Sequence, residues 1–167
     1  NVFSRPSPWA NKIDISYQLS TWALWIFNLR GGKRYKSAVV PYPIKCDSFK
    51  RPENEGIITF KKENNIPQDA FVIGRIGQFY DGKWSPVLID AFNELSKTIP
   101  KLYLLIINPP ESIINNAKDS PHAKNIIHIP KIIGDNNLAL AYASMDVMLH
   151  IALQGESFGM VLPEAIL

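Results

Sequence analysis

The sequence predicts an α/β fold built on a parallel β-sheet. Short apolar runs recur between residues 71 and 151, and segments with helical spacing separate them. Runs such as FVIGRI (71–76) and LYLLII (102–107) are typical of parallel strands that are covered by helices on both faces. Strands that alternate with helices indicate βαβ units. We therefore expect a doubly wound, Rossmann-like sheet.

Each element is predicted from a run and its boundaries. Ser20 is suited to cap a helix over TWALWIFNL (21–29), and Gly31-Gly32 ends it. Ser85 is expected to cap a helix that has Pro86 at its first position. In chain order we predict strands at 13–17, 37–40, 71–76, 102–107, 126–129 and 147–151, with the third and later ones buried. We predict helices at 21–29, at 55–64, from Pro86 to at least Leu95 and at 138–144, with a last helix that opens near Gly159.

The predicted elements divide between two domains. The segment KCDSFKRPENEG (45–56) is polar and interrupted by proline, so we predict a linker there. Residues 1–44 are expected to end one domain, and residues 45–167 to form part of a second. Because Rossmann-like halves usually continue beyond a fourth strand, we expect the chain to be part of a longer protein.

Composition narrows the classes of function. The net charge is +3, and the basic residues are interspersed with acidic ones, so no basic stripe favours nucleic acid. Cys46 is the only cysteine, which excludes an internal disulfide and a Cys-based zinc cluster and fits a reducing cytoplasm. The apolar run 21–29 has nine residues, whereas a membrane span needs about 20. We interpret it as a buried helix.

GQFYDGKW (77–84) resembles a phosphate-binding P-loop in the spacing of its glycines and Lys83. A P-loop needs Ser or Thr after the lysine, and Trp84 stands there instead. The residue before a proline avoids the α conformation, so the helix starts after Ser85 and not at the lysine. LYLLII also ends in Asn108 and not in an aspartate. The motif therefore predicts a loop and not an NTPase, and its glycine spacing looks coincidental.

GESFGMVLPE (155–164) carries a second candidate site. Its glycines allow a ligand to approach the backbone, and Ser157 or Phe158 could cap a helix whose free N–H groups, from Gly159 onward, attract anions. Glu156 and Glu164 are too far apart to share one atom of a substrate, but they suit two contacts along an extended ligand with hydroxyl groups. The alternative is a charge at the end of the helix and a carboxylate on its solvated face.

GESFGMVLPEA closely resembles the E-x7-E signature of retaining nucleotide-sugar glycosyltransferases of the GT-B fold, family four. Three further segments are similar to that family: FVIGRIGQFYDGKWSPVLIDAFNEL, LALAYASMDVMLH and SAVVPYPIKCDSF. The resemblance covers about residues 37–167. It implies that residues 45–167 are part of a donor-binding lobe, and that the preceding residues are the tail of an acceptor-binding domain.

The resemblance also implies roles for individual residues. Arg75 and Lys83, in a segment that opens with Gly74, would hold the donor's diphosphate and offset the charge that develops on the leaving group. Glu156, with the backbone of Ser157, Phe158 and Gly159, would hold the transferred sugar and the phosphate beside it. The other implied contacts are the ribose hydroxyls at Glu164 and the base near Pro130 and Lys131.

The implied reaction transfers a sugar from a nucleoside-diphosphate sugar to a glycan or lipid-linked acceptor, with retention of configuration and without a metal or other cofactor. The resemblance further implies a hexosyltransferase of polysaccharide biosynthesis in the cytoplasm, with membrane attachment left to regions outside this chain; the chain alone is expected to be inactive. A non-catalytic nucleotide-sugar-binding module and a GT-B sugar-nucleotide epimerase stay open. Phe79, Tyr80 and Trp84 make the loop more aromatic than in many family members, and packing is their expected role.

Overall fold

The computed structural model describes residues 12–156 and 158–167. These residues form two compact units. The first contains the described residues up to Ile44 together with those of 155–160, and the second contains residues 45–154 and 161–167. Among the described residues, each helix is too short or too polar to cross a lipid bilayer.

The first unit contains two short strands and one helix. β1 (Ser16–Gln18) pairs in parallel with β2 (Ser37–Val39), and α1 (Thr21–Leu29) lies between them in the chain. The predicted helix bounds are confirmed, and the hydroxyl of Ser20 accepts a hydrogen bond from the backbone N–H of Ala23 at 3.1 Å. The prediction that α1 is buried is wrong within this unit: Ala23 is its only buried residue, because a two-stranded ladder covers only one side of a helix.

The second unit is built on a four-stranded parallel sheet in the order β5-β4-β3-β6. This confirms the predicted α/β fold with a Rossmann-like parallel sheet. Its strands are β3 (Phe71–Ile76), β4 (Leu102–Ile107), β5 (Ile126–Ile129) and β6 (Val147–Met148), and its helices are α2 (Asn54–Glu63), α3 (Val87–Leu95), α4 (Glu111–Lys118), α5 (Asp135–Ala143) and α6 (Val161–Ile166).

Alternate residues of the central strands pack on opposite faces of the sheet. Val72 and Ile76 of β3 lie in a cluster with Leu105, under residues of α5. Ile73 and Leu104 lie in a second cluster, with the buried residues of α3 and α4. Both faces are therefore covered by helices, which is why β3 and β4 appear in the sequence as unbroken apolar runs.

Four strands differ from their prediction. In the first unit, β1 begins at Ser16 and not at residue 13, and β2 ends at Val39. The other two strands belong to the sheet of the second unit. β5 is an edge strand of the described sheet, with His128 exposed, so the expectation of a third buried strand is wrong. β6 stops at Met148, although the apolar pattern runs to Ile151. Leu149 still donates to the carbonyl of Gly74 at 2.8 Å, and the chain then leaves the sheet. A run of apolar residues indicates that other parts of the protein pack over a segment. It does not show that the backbone of that segment stays hydrogen-bonded to a neighbouring strand.

The helices differ mainly in their first residues. α4 was not predicted, because its buried residues are only Ile113 and Ala117, too few to show a helical period. α3 begins at Val87, so its N-cap position is Pro86 and not Ser85 as predicted. Pro86 already has helical backbone angles, and no side chain makes a capping hydrogen bond there. α5 begins three residues before its predicted start, and α6 begins at Val161 and not near Gly159.

Candidate functional site

Lys83 lies on a short 3-10 turn, Asp81–Lys83, in the loop that follows β3. The loop therefore starts at the carboxyl end of a central parallel strand, where ligands of open α/β sheets bind. The loop is held at its start by Asn108, whose side-chain amide donates to the carbonyl of Gly77 at 2.9 Å. It is held at its end by Trp84, whose Nε1–H donates to the carbonyl of Gln78 at 2.8 Å.

Arg75 of β3 holds this loop through hydrogen bonds from its side chain. Its side chain is only 1% exposed, and its guanidinium lies 5.1 Å from the ring centroid of Trp84. Nη1 donates to the carbonyl of Ile76, and Nη2 donates to the carbonyl of Lys83 at 2.7 Å and to that of Ile151 at 3.4 Å. Arg75 and Lys83 are thus brought together, but the contact runs from the arginine side chain to the lysine backbone.

The two glycines of GQFYDGKW have separate structural reasons. A Cβ on Gly77 would lie 2.9 Å from Nε1 of Trp84, and a Cβ on Gly82 would lie 2.6 Å from the side chains of Gln154 and Tyr80. Close packing, and not phosphate binding by a P-loop, accounts for both positions. Each glycine makes room for a different neighbouring side chain, which agrees with the prediction that the P-loop-like spacing is coincidental.

The aromatic residues of the loop have different environments. Trp84 is buried at 1% exposure, which confirms packing as its role, whereas Phe79 is 60% exposed and Tyr80 is 51% exposed. Tyr80 is held by its hydroxyl, which accepts a hydrogen bond from the amide of Gln154 at 2.9 Å. The backbone N–H of Gln154 also donates to the carbonyl of Gly82 at 2.8 Å, so the turn that carries Lys83 is tied to the segment after β6.

Glu164 lies on α6 and is hydrogen-bonded to a buried tyrosine of α5. The hydroxyl of Tyr142 donates to Oε2 of Glu164 at 2.8 Å. Burial is the main cause that raises the pKa of the Glu164 carboxyl, the Tyr142 hydrogen bond opposes that rise, and the charge of Asp135 adds to it. The carboxylate is thus half-buried, oriented on one side, and able to accept further hydrogen bonds.

Tyr142 connects Glu164 electrostatically to Arg75. Burial, followed by the hydrogen bond and the negative charge of Glu164, raises the pKa of Tyr142 well above its ordinary value. The positive charge of Arg75 has the opposite, smaller effect on the same hydroxyl. The end of β3, α5 and α6 therefore share one electrostatic neighbourhood within the second unit.

Three other predicted residues of the second unit lie apart from these hydrogen bonds. Gly74 is buried in β3, where a Cβ would lie 2.0 Å from Sδ of Met145, so packing already requires a small residue. Pro130 and Lys131 are exposed in the loop after β5. Lys131 lines a cleft of about 630 Å³ together with residues of α2 and α5, including Glu55.

The remaining predicted residues belong to the first unit. Glu156 is partly buried. The ring of Phe158 packs edge-to-face against Tyr42, with centroids 6.1 Å apart. Gly159 has φ +77°, a left-handed conformation that favours glycine. Ser157 lies outside the described residues. Within the part of the chain that the structure describes, no group of three His, Cys, Asp or Glu side chains could hold a metal ion.

Sequence reasoning missed two residues of the second unit. Tyr142 stands in the apolar helix LALAYAS, and a tyrosine that faces a core usually needs a partner for its hydroxyl. That rule could have identified it, although not its partner. Asn108 follows β4 directly and has φ +59°. An asparagine at the carboxyl end of a central parallel strand was a signal for a residue that holds a neighbouring loop.

The family is decided by comparison with known proteins. The family model of the group 1 glycosyl transferases matches residues 57–167. The chain belongs to the group 1 glycosyltransferases. The matched range includes β3, the Lys83 loop and α6, so the features described in the second unit lie in the glycosyltransferase region. No curated protein sequence is significantly similar to this chain.

Several solved structures share the fold of this group 1 member. Anabaena HepE in complex with UDP-glucose is similar with a TM-score of 0.79 and 17% identity, over 92% of this chain and 42% of HepE. WaaG, a glycosyltransferase involved in lipopolysaccharide biosynthesis, has a TM-score of 0.73 and 20% identity, over 90% of this chain and 41% of WaaG. Sucrose-phosphate synthase from Thermosynechococcus elongatus has a TM-score of 0.74 and 16% identity, over 94% of this chain and 40% of the synthase. The chain thus spans about two fifths of the length of each.

Proposed function

We propose that this chain is part of the donor-binding lobe of a retaining GT-B glycosyltransferase of family four, and that it binds a nucleoside-diphosphate sugar. The observation that carries the proposal is the pinned Lys83 turn at the carboxyl end of β3, inside the region that matches the group 1 glycosyltransferases. HepE, which has the same fold, was crystallised with UDP-glucose and with UDP. The wider enzyme would transfer a hexose to a glycan or lipid-linked acceptor, in the cytoplasm or at the inner face of the membrane.

In this proposal Lys83 supplies a positive charge to the diphosphate. Arg75 donates to the carbonyl of Lys83 itself, and Gln154 donates to the carbonyl of Gly82 in the same turn. The ammonium group is therefore presented from a turn that is held at two points. A preorganised charge stabilises a leaving diphosphate without having to reorganise during the reaction. Arg75 adds positive charge to the same neighbourhood. Protein cations would then neutralise the leaving group, and we propose that the reaction uses neither a metal nor another cofactor.

Glu164 accepts hydrogen bonds from the ribose hydroxyls in this proposal, since its carboxylate is partly desolvated and is already oriented by Tyr142. Glu156, with the backbone of Ser157, Phe158 and Gly159, contacts the transferred sugar and the adjacent phosphate, as the family resemblance implies. Pro130 and Lys131 remain the proposed neighbours of the base.

A thermal-shift screen tests the proposal. UDP-, GDP- and ADP-sugars are each added to the protein, and we expect one of them to raise Tm selectively, because a ligand that binds only the folded state stabilises it by mass action. Lys83→Ala should reduce that shift. Lys124→Ala, a matched loss of an exposed lysine, should leave it unchanged. Failure of all three sugar nucleotides to raise Tm would contradict the proposed donor.

A further inference from the structure

We propose that Tyr142 is a positioning residue for ribose recognition: it orients the Glu164 carboxylate so that the carboxylate accepts the hydroxyls of the donor's ribose. This inference rests on the proposed function, because it assigns a partner to the residue that we expect to contact the ribose. It assigns a function to a buried hydroxyl that no motif of the sequence explains.

The first argument is geometric. Tyr142 is 9% exposed, and its ring packs edge-to-face against Phe49 with centroids 6.2 Å apart. The ring is therefore held in one orientation, and its hydroxyl donates to Oε2 of Glu164 at 2.8 Å. A glutamate has several rotatable bonds and loses rotamer freedom when it binds a ligand. A fixed donor on one oxygen removes part of that loss before the ligand arrives.

The second argument concerns how many hydrogen bonds the Glu164 carboxylate can accept. An ionised carboxylate has about four lone-pair sites, and Tyr142 uses one of them. The remaining sites suit two neighbouring hydroxyls, which is the pattern that a ribose presents and a 2′-deoxyribose lacks. A tyrosine that only filled space would not need to place its hydroxyl against the Glu164 carboxylate, the group that we propose binds the ligand.

The third argument is electrostatic. The Tyr142 hydroxyl stays protonated because burial raises its pKa, so it remains a donor. Its hydrogen bond lowers the pKa of Glu164, against the effects of burial and of Asp135. Arg51 and Asp146 line the same cavity as Glu164, with opposite charges. Tyr142 is thus the described hydrogen-bond donor that favours the ionised, accepting form of the carboxylate.

The experiment compares ribose and 2′-deoxyribose ligands by titration calorimetry. UDP, GDP and ADP are titrated into the wild-type chain, and the one that binds is then compared with its 2′-deoxy form. Tyr142→Phe keeps the ring and removes only the hydroxyl. We expect the Kd for the ribonucleotide to rise about tenfold, since a hydrogen bond to a charged group is lost. The preference over the 2′-deoxy form should shrink.

Two controls separate positioning from a purely structural role. Tyr103→Phe removes a tyrosine hydroxyl in β4 in the same way, and it should change neither the Kd for the ribonucleotide nor the preference over the 2′-deoxy form. The pH at which binding is lost on acidification should move upward in Tyr142→Phe, because Glu164 then protonates more readily, and Glu164→Gln should abolish that pH dependence. Should Tyr142→Phe not fold, Phe49→Leu loosens the same ring, keeps the hydroxyl, and should reduce the ribose preference more weakly.

The outcomes are distinguishable. A wild-type chain that binds none of the three nucleotides overturns the proposed function and this inference with it. A wild-type chain that prefers the ribonucleotide, with the same Kd, the same ribose preference and the same pH profile in Tyr142→Phe, overturns the inference alone. Where only Phe49→Leu folds, an unchanged ribose preference in that variant overturns the inference as well.

Discussion

Replacing Arg75 with methionine tests whether this arginine acts by holding the Lys83 turn. The guanidinium is buried and donates to the carbonyls of Ile76 and Lys83 and, over a long 3.4 Å, to that of Ile151. Methionine keeps an unbranched, though shorter, side chain and has no donor. The carbonyls then lose their charged partner.

The magnitude follows from the hydrogen bonds to Ile76 and Lys83, since the long contact to Ile151 contributes little. Each hydrogen bond from a charged donor contributes about 1.5–3 kcal/mol, so about 3–6 kcal/mol is lost if nothing compensates. Removing a buried charge also removes the cost of its desolvation, which offsets part of this loss. We expect the free energy of unfolding to fall by about 2–3 kcal/mol after that offset. Arg75→Lys should fall between wild type and Arg75→Met, because lysine keeps the charge but has no planar fork of donors.

Urea unfolding, followed by tryptophan fluorescence, measures these changes. Lys83→Met is the matched control, since it removes the ammonium group but keeps the backbone carbonyl that Arg75 binds. A substitution at such a partly exposed position usually changes stability by less than about 0.5 kcal/mol. Both variants should weaken binding of the donor nucleotide, but only Arg75→Met should lose stability. Equal stability of the two variants would refute the reasoning.

Three further predictions concern packing, capping and pH. Gly77→Ala places a Cβ 2.9 Å from the indole of Trp84, so its urea midpoint should drop by the equivalent of about 1–3 kcal/mol; an unchanged midpoint would mean that the indole moves freely. Ser20→Ala removes the cap hydrogen bond to Ala23 and should cost about 1 kcal/mol in the same measurement, whereas Ser20→Gly should cost only a few tenths; equal losses would exclude capping as the cause. Because the pKa of Glu164 is raised, the folded state binds its proton more tightly than the unfolded state does. The free energy of unfolding, relative to that of Glu164→Gln, should therefore fall as the pH rises above 4.5 through the folded pKa. A stability difference between the two proteins that does not depend on pH would contradict the raised pKa.

The strands of the sheet were the most predictable part of the fold. Phe71–Ile76, Leu102–Ile107 and Ile126–Ile129 were predicted with their observed bounds, because adjacent apolar residues on both faces leave a continuous run in the sequence. Edges were harder to predict. The position of β5 at the edge, and the early end of β6, depend on which strands lie beside them, and no local pattern records that.

The candidate site was predictable in its residue types but not in their contacts. Lys83 and Glu164 were identified from loop composition and family resemblance, and their roles stay predictions. The structure adds that Arg75 reaches the backbone of residue 83, and that Glu164 pairs with a tyrosine 22 positions earlier in the chain. Neither contact follows from spacing along the sequence.

The sequence by itself determined the succession of the strands along the chain and of every helix except α4, the two covered faces of the sheet and the presence of a cationic loop after β3. These features depend on side-chain periodicity, which is local and therefore visible in one dimension. Only the tertiary structure decided that Gly77 makes room for Trp84, that Arg75 holds the Lys83 turn, and that Tyr142 donates to Glu164. A buried polar group must find its partner wherever the fold brings one within about 3 Å, and that distance is set by the packing of elements that are far apart in the chain.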